Sequence, residues 1–110
     1  MTTEPESDER VAFVCNEADL ENNSMVSAKP GSEPVIICRI DNEIHAIEGI
    51  CPHRGAILAQ GELVRGAIVC PWHQWAFDIC TGQGITNPYS SLKKYQTVVK
   101  DGKIFLKTGP

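Results

Sequence analysis

Two short segments of the chain place cysteine and histidine at spacings that suit metal binding. The first reads CPHR from Cys51 and the second reads CPWH from Cys70, so each segment supplies one thiol and one imidazole. Thiolates and imidazoles together bind soft and borderline metals. The sequence therefore predicts a metal centre built from Cys51, His53, Cys70 and His73.

The mixed pairs distinguish between two kinds of centre. Structural zinc sites usually take ligand pairs separated by two or more residues, and the Cys51-x-His53 pair is tighter than that. In a cluster of two irons and two sulfides, each segment can send its cysteine to one iron and its histidine to the other. The order of the ligands favours the iron–sulfur cluster, and a zinc-stabilised β module with no redox role is the competing interpretation.

The same residues carry a family resemblance. The runs CPHRGA from Cys51 and CPWHQWAFD from Cys70 resemble the Rieske iron–sulfur signature, and the similarity continues through Thr81-Gly82 and Asn87-Pro88. It covers residues 11–107, with the two runs decisive. The resemblance implies a Rieske-type [2Fe-2S] cluster as cofactor. It also implies that the cluster ligands are Cys51, His53, Cys70 and His73.

The elements that must position these residues are predicted to be strands. From Val11 onward, short apolar runs alternate with Gly, Pro, Asn and Asp, and none keeps a helical period for long. We expect hairpin turns at Asp41-Asn42 and Asp101-Gly102 and one helical turn at 17–20. Strands are predicted over 11–15, 25–28, 34–40, 44–47, 67–70, 75–78, 95–100 and 103–107. The fold class is all-β, a small sandwich or partly open barrel, and the resemblance implies that two cluster-binding loops lie at one end.

Length and charge restrict the organisation of the chain. Its 110 residues, 42% of them hydrophobic, predict one domain over 11–110 after a flexible acidic tail over 1–10. Residues 1–33 hold eight acidic and two basic side chains, which argues against a nucleic-acid partner. Without an apolar segment near the start, we expect a soluble cytoplasmic protein with no membrane association.

The remaining cysteines and the third histidine receive structural interpretations. Cys15, Cys38 and Cys80 lie in apolar contexts and are predicted to be buried free thiols, since a reducing compartment disfavours disulfides. Cys80, which is close in sequence to the second segment, is the one exception to test. His45 alternates with apolar neighbours and is predicted to lie on the surface of a strand. Trp72, Trp75 and Phe77 are expected to screen the cluster from water.

The resemblance implies electron transfer, with no catalysis by this chain alone. A mononuclear iron of the oxygenase type needs two histidines and a carboxylate, whereas only three histidines exist and two are assigned to the cluster. One interpretation is a ferredoxin between a flavin-dependent NAD(P)H reductase and a terminal oxygenase. The other is the small subunit of an NAD(P)H-dependent assimilatory nitrite reductase, whose partner is the catalytic large subunit. The motif suits both.

The loops also predict a low reduction potential and a docking end. By resemblance, high-potential Rieske proteins tie their loops with a disulfide and donate hydroxyl hydrogen bonds to the cluster. The corresponding positions here are Ala56 and Trp72 for the disulfide, and Trp75 and Phe77 for the hydroxyls. We therefore expect a low potential. Arg54 and Gln74, which adjoin the ligands, are predicted to border the face where redox partners dock.

Overall fold

The fold is built from short antiparallel strands, as the sequence predicts. The computed structural model describes residues 11–30, 33–52, 55–71 and 74–107. Within these ranges two single-turn 3₁₀ helices occur, Glu17–Asp19 and Leu58–Gln60. The strands are β1 (Val11–Asn16), β2 (Ser24–Ala28), β3 (Val35–Ile40), β4 (Glu43–Glu48), β5 (Glu62–Val64), β6 (Ala67–Val69), β7 (Ala76–Asp78), β8 (Lys94–Tyr95), β9 (Thr97–Lys100) and β10 (Lys103–Lys107).

A four-stranded sheet in the order β2-β3-β4-β8 lies between two apolar cores. Strand β3 is an almost continuous apolar run, and such a run is typical of a strand that is covered on both faces. Ile36 and Cys38 point into one core, whereas Val35 and Ile37 point into the other, as the alternation along a strand requires. The sheet thereby connects the two halves of the molecule.

The two cores differ in which strands cover them. One core, which we call the terminal core, is completed by the sheet β1-β10-β9, through Ile104 and Leu106 of β10. The other core, which we call the cluster core, is completed by the sheet β5-β6-β7 and by the loops around it. Its buried members are Ile36, Cys38, Ile40, Ile47, Cys51, Ala56, Leu58, Ile68, Cys70, Phe77, Ile79 and Leu92. Both predicted ligand cysteines therefore belong to one core.

Tight turns connect the hairpins, and both predicted turns are confirmed. At Asp41-Asn42 the φ angles are 51° and 67°, and at Asp101-Gly102 they are 55° and 75°. Two successive residues with positive φ give a turn whose twist matches that of the flanking strands. A third turn of this kind joins β5 to β6 at Arg65-Gly66, where the sequence predicts none.

The predicted elements differ from the structure in a few places. The strand predicted over 95–100 is two strands, because the chain passes at Gln96 from the sheet of β4 to the sheet of β10. Strand β5 is absent from the prediction, and the helical turn predicted over 17–20 is the 3₁₀ helix Glu17–Asp19. The acidic tail over 1–10 lies outside the described residues.

Candidate metal centre

The two cysteine-led segments form loops of the same length on the same frame. The first loop spans 51–56, and the residues on either side of it, Ile50 and Ile57, form an antiparallel bridge. The second loop spans 70–75, and its flanking residues Val69 and Ala76 are paired in the same way. Each loop thus holds six residues, and a cysteine occupies the first position of both.

Matching hydrogen bonds close the two loops. The backbone N–H of Cys51 donates to the carbonyl of Ala56 at 2.9 Å, and that of Cys70 donates to the carbonyl of Trp75 at 2.6 Å. The fifth position has a left-handed backbone in both loops, with φ of 75° at Gly55 and 55° at Gln74. Backbone hydrogen bonds within the chain therefore hold the base of each loop, and a metal is not needed for this closure.

The two cysteines meet the requirements of an iron–sulfur centre in their surroundings. Cys51 and Cys70 are both fully buried, at 0% exposure, and neither thiol of this pair in the cluster core forms a disulfide. Soft thiolate donors in an apolar core suit a cluster whose sulfurs are shielded from water. The donor chemistry of these two residues fits the predicted cofactor.

The prediction also includes two histidine ligands. His53, Arg54, Trp72 and His73 lie outside the described residues. Ligation by His53 and His73 accordingly stays a prediction. The structure describes the loop residues before and after them, which are Cys51, Pro52 and Gly55 in the first loop and Cys70, Pro71 and Gln74 in the second.

A glycine links the exit of the first loop to the entrance of the second. Gly61 follows the 3₁₀ helix Leu58–Gln60 and lies so close to Val69 that a Cβ atom on it would stand 1.9 Å from the Val69 carbonyl oxygen. Val69 directly precedes the predicted ligand cysteine Cys70. Only a residue without a side chain permits this approach of the chain after the first loop to the strand that leads into the second.

The second loop has a further support from the chain that follows it. The N–H of Ile85 donates to the Ala76 carbonyl at 2.8 Å, and the N–H of Ala76 donates to the Thr86 hydroxyl oxygen at 3.0 Å. Phe77 and Gly84 form a bridge beside this pair. These bonds fix the first residues after the second loop.

Apolar side chains surround the buried cysteines, as the sequence predicts for two of its aromatic residues. Phe77 is fully buried, and Trp75 is partly buried and packs against the cluster core. Ala56 is buried as well, while Gln74 is exposed. The arrangement keeps water from the thiols on the inner side and leaves the fifth position of the second loop in solvent.

Two structural interpretations of the sequence are wrong. His45 is not a surface residue, because only 12% of its side chain is exposed, and Cys80 is not buried. The chain returns at Lys94 to cover His45, and no spacing in the sequence indicates that approach. Of the other two thiols, Cys38 is buried as predicted and Cys15 is half-buried.

The fold is all-β, and two cysteine-led loops with the same backbone closure lie over one apolar core. These features define a small iron–sulfur protein. The family model described as the Rieske [2Fe-2S] domain matches residues 10–96. The chain belongs to this family, and its cofactor is a Rieske-type [2Fe-2S] cluster.

Curated relatives share much of this sequence. Human apoptosis-inducing factor 3 is 38% identical over 97 residues, which are 87% of this chain and 16% of that protein. The chain thus spans about a sixth of that relative's length. The ferredoxin component of the alkene monooxygenase system of Xanthobacter autotrophicus is 32% identical over 98 residues, 88% of this chain and 80% of the relative.

Solved structures share the fold. A chain in the complex of reduced oxygenase and oxidized ferredoxin of carbazole 1,9a-dioxygenase superposes with a TM-score of 0.82 at 28% identity, over 90% of this chain and 94% of that one. The putative NADH-dependent nitrite reductase small subunit of Mycobacterium tuberculosis gives 0.79 at 22% identity, over 93% and 97% of the two chains, and shows the fold alone. Among the described residues, no helix has the length and apolar character needed to cross a bilayer.

Proposed function

We propose that this chain carries single electrons from a flavin-dependent NAD(P)H reductase to a terminal oxygenase, as a ferredoxin of the Rieske type. The observation that carries the proposal is the pair of buried cysteines, each at the head of a six-residue loop with the same closure. Cys51, His53, Cys70 and His73 are the proposed ligands, with the cysteines on the inner iron. When bound, the cluster supplies one-electron exchange.

The residues of the chain hold and shield the centre. The Cys51 and Cys70 N–H groups, both bound to carbonyls across their loops, keep the two thiols in place without help from the metal. Phe77 and Leu58, both fully buried, exclude water behind them. A site held this way changes little in shape between its two redox states, and that favours rapid electron exchange.

The proposed partners follow from the relatives and from the loop end of the molecule. Two of the similar proteins are a ferredoxin component and a ferredoxin seen together with its oxygenase. Ile57, directly after the first loop, is 47% exposed, and Gln74 in the second loop is exposed. An apolar face with a polar border suits a short-lived redox complex. Arg54 is proposed to belong to this border.

The small subunit of an assimilatory nitrite reductase is the alternative, with the catalytic large subunit as partner. A domain of a longer protein is a further arrangement that the first relative suggests. None of the five cysteines forms a disulfide, which suits a reducing compartment, and we place the protein in the cytoplasm on this basis. A single domain over 11–110 after an acidic tail over 1–10 is part of the proposal.

The groups near the cysteines support a low potential. Ala56 is buried where a loop-linking cysteine would stand, and Phe77 and Trp75 offer no hydroxyl to the cluster. Hydrogen bonds to the sulfurs stabilise the reduced state, so their absence lowers the potential. We expect a midpoint near about −150 mV, the lower limit of Rieske centres, with little change through neutral pH.

Voltammetry of the purified protein, followed by rapid mixing with a reduced flavin-dependent reductase of a ring-hydroxylating system, tests the proposal. A red-brown protein with a low midpoint that accepts one electron from the reductase and passes it to the oxygenase is the expected result. A colourless zinc protein would overturn the cofactor. A midpoint above about +100 mV would overturn the low-potential interpretation. Stable assembly with a sirohaem-containing large subunit, without turnover by the oxygenase, would favour the alternative.

A further inference from the structure

A cluster of titratable side chains lies away from the two loops, where β4, β8 and the turn after β7 meet. The Lys94 ammonium donates to the carbonyls of Ile79 and Cys80, at 3.1 and 2.8 Å, and to Nδ1 of His45, at 3.1 Å. Nε2 of His45 faces the Cys80 sulfur at 3.9 Å. This group of side chains thus brings an imidazole, an ammonium and a thiol together.

The lysine determines which nitrogen of His45 carries the proton. An ammonium has only protons to donate, so Nδ1 must accept, and the neutral ring then carries its proton on Nε2. Burial, reinforced by the charge of Lys94, lowers the pKa of His45, which keeps the ring neutral at neutral pH. The Nε2–H group therefore points toward the sulfur of Cys80 and toward the Glu43 carboxylate, which lies 3.8 Å from Nε2.

Cys80 differs from the other four thiols in its access to solvent. Cys38, Cys51 and Cys70 are fully buried, and Cys15 is half-buried. Burial raises the pKa of Cys38 to about 12 and also raises the pKa of Cys15, which lies near Asp19. Reaction with a disulfide requires a thiolate that the reagent can reach, and only Cys80 is exposed.

Charged groups of both signs surround Cys80. Lys94 donates to its carbonyl oxygen, and the Nε2–H group of His45 faces its sulfur. Asp78 Oδ1 accepts the backbone N–H of Cys80 at 2.8 Å, and Glu43 lies 3.8 Å from Nε2 of His45. The hydrogen-bond donor is what distinguishes this exposed thiol from an ordinary surface cysteine.

We propose that Cys80 is a site of covalent modification by low-molecular-weight disulfides, with His45 as the positioning residue that stabilises its thiolate. The Cys80 thiol first releases its proton to solvent. The thiolate then attacks one sulfur of the disulfide, forming a new S–S bond to Cys80, while the other sulfur leaves as a thiolate with the bonding electron pair. The cysteine is oxidised, the reagent is reduced, and no electron is taken from the cluster.

Thiol titration of the purified, cluster-loaded protein with an aromatic disulfide tests the proposal. We expect one fast equivalent of released aromatic thiolate, and none in the Cys80→Ser variant. The Cys15→Ser variant should keep the fast equivalent and serves as the matched control. Mass spectrometry after treatment with glutathione disulfide should place the adduct on Cys80. A fast equivalent that survives Cys80→Ser, or disappears in Cys15→Ser, would overturn the assignment.

Kinetics at fixed neutral pH test the role of His45. The His45→Leu variant should react roughly fivefold more slowly, as expected for loss of one modest hydrogen bond to the thiolate. Lys94→Met removes the ammonium that fixes the tautomer and should slow the reaction as well, which provides a second test if His45→Leu does not fold. Wild-type rates in both variants, with the visible spectrum intact, would show that Cys80 reacts through exposure alone and would overturn the role of His45. Because the readout is thiol release, it is independent of the electron-transfer partners.

Discussion

The two cysteine-led loops share a frame but differ in what fills and supports it. Each holds six residues between a pair of bridged positions, and each is closed by the N–H of its cysteine. Histidine is the third residue of the first loop and the fourth of the second. The spacing of the predicted ligands therefore differs between the loops, while the hydrogen bond that closes each loop is the same.

The supports of the loops also differ. The second loop leads into β7, which is bonded to the chain at 84–86 through Ala76. The first loop leads into the 3₁₀ helix Leu58–Gln60, where the N–H of Leu58 donates to the Gly49 carbonyl at 2.9 Å. Gly49 in turn donates to the Pro34 carbonyl at 3.0 Å. The two loops are thus anchored on different parts of the fold, and Gly61 is the contact that relates them.

Ligand substitutions should have the largest effect and should act equally on both loops. Replacing Cys51 or Cys70 by Ser, or His53 or His73 by Ala, should abolish the visible absorption and the EPR signal of the reduced cluster, because each removes one of four ligands. Cys15→Ser should retain both signals and is the control. A normal spectrum in His53→Ala would contradict the ligand assignment for the first loop alone.

Gly61→Ala should disturb the relation between the loops. Its methyl group would overlap the Val69 carbonyl oxygen, so the backbone must move, and we expect a loss of about 3 kcal/mol in the free energy of unfolding. Chemical denaturation measures the loss. Gly102→Ala, at a turn with nothing within 4 Å of the new methyl group, serves as a control that tests conformational strain alone. Equal losses in the two variants would show that the Gly61 contact is unimportant.

Substitutions at the fifth position of each loop compare the two loops, because the backbone there is left-handed in both. Gly55→Ala puts a side chain on a left-handed backbone and should destabilise the protein by about 1 kcal/mol through conformational strain, since no atom of the described residues lies within 4 Å of the new methyl group. Gln74→Gly relieves the same conformation in the second loop and should be neutral or stabilising by up to about 1 kcal/mol. Thermal unfolding of both variants compares them directly. Destabilisation by Gln74→Gly would mean that the glutamine side chain stabilises its loop.

Charge substitutions on the two loops should have the smallest effect, on docking alone. Arg54→Glu should slow reduction by the reductase several-fold at low salt and less at high salt, because exposed charges are screened. Gln74→Glu is the matched variant on the second loop. Stopped-flow kinetics across a salt series measure both. If neither rate depends on salt, the border residues do not contribute to docking.

The cofactor, the fold class and most of the strands could be predicted from the sequence alone. The ligand motif is local, so its residues are visible in order, and the turns at Asp41-Asn42 and Asp101-Gly102 follow from residues that tolerate positive φ. Short apolar runs bounded by turn residues located β3 and β10. Each of these signals depends on neighbours within a few positions along the chain.

Only the tertiary structure decided how distant segments meet. The division of 94–100 between two sheets depends on which strands are available as partners, and no local pattern records that choice. The approach of Lys94 to His45 joins residues that are far apart in sequence, and that of Gly61 to Val69 depends on a hairpin turn at Arg65-Gly66 that the sequence did not predict. The exposure of Cys80 next to the buried Ile79 has the same cause, since burial is decided by the packed molecule and not by the residue type alone.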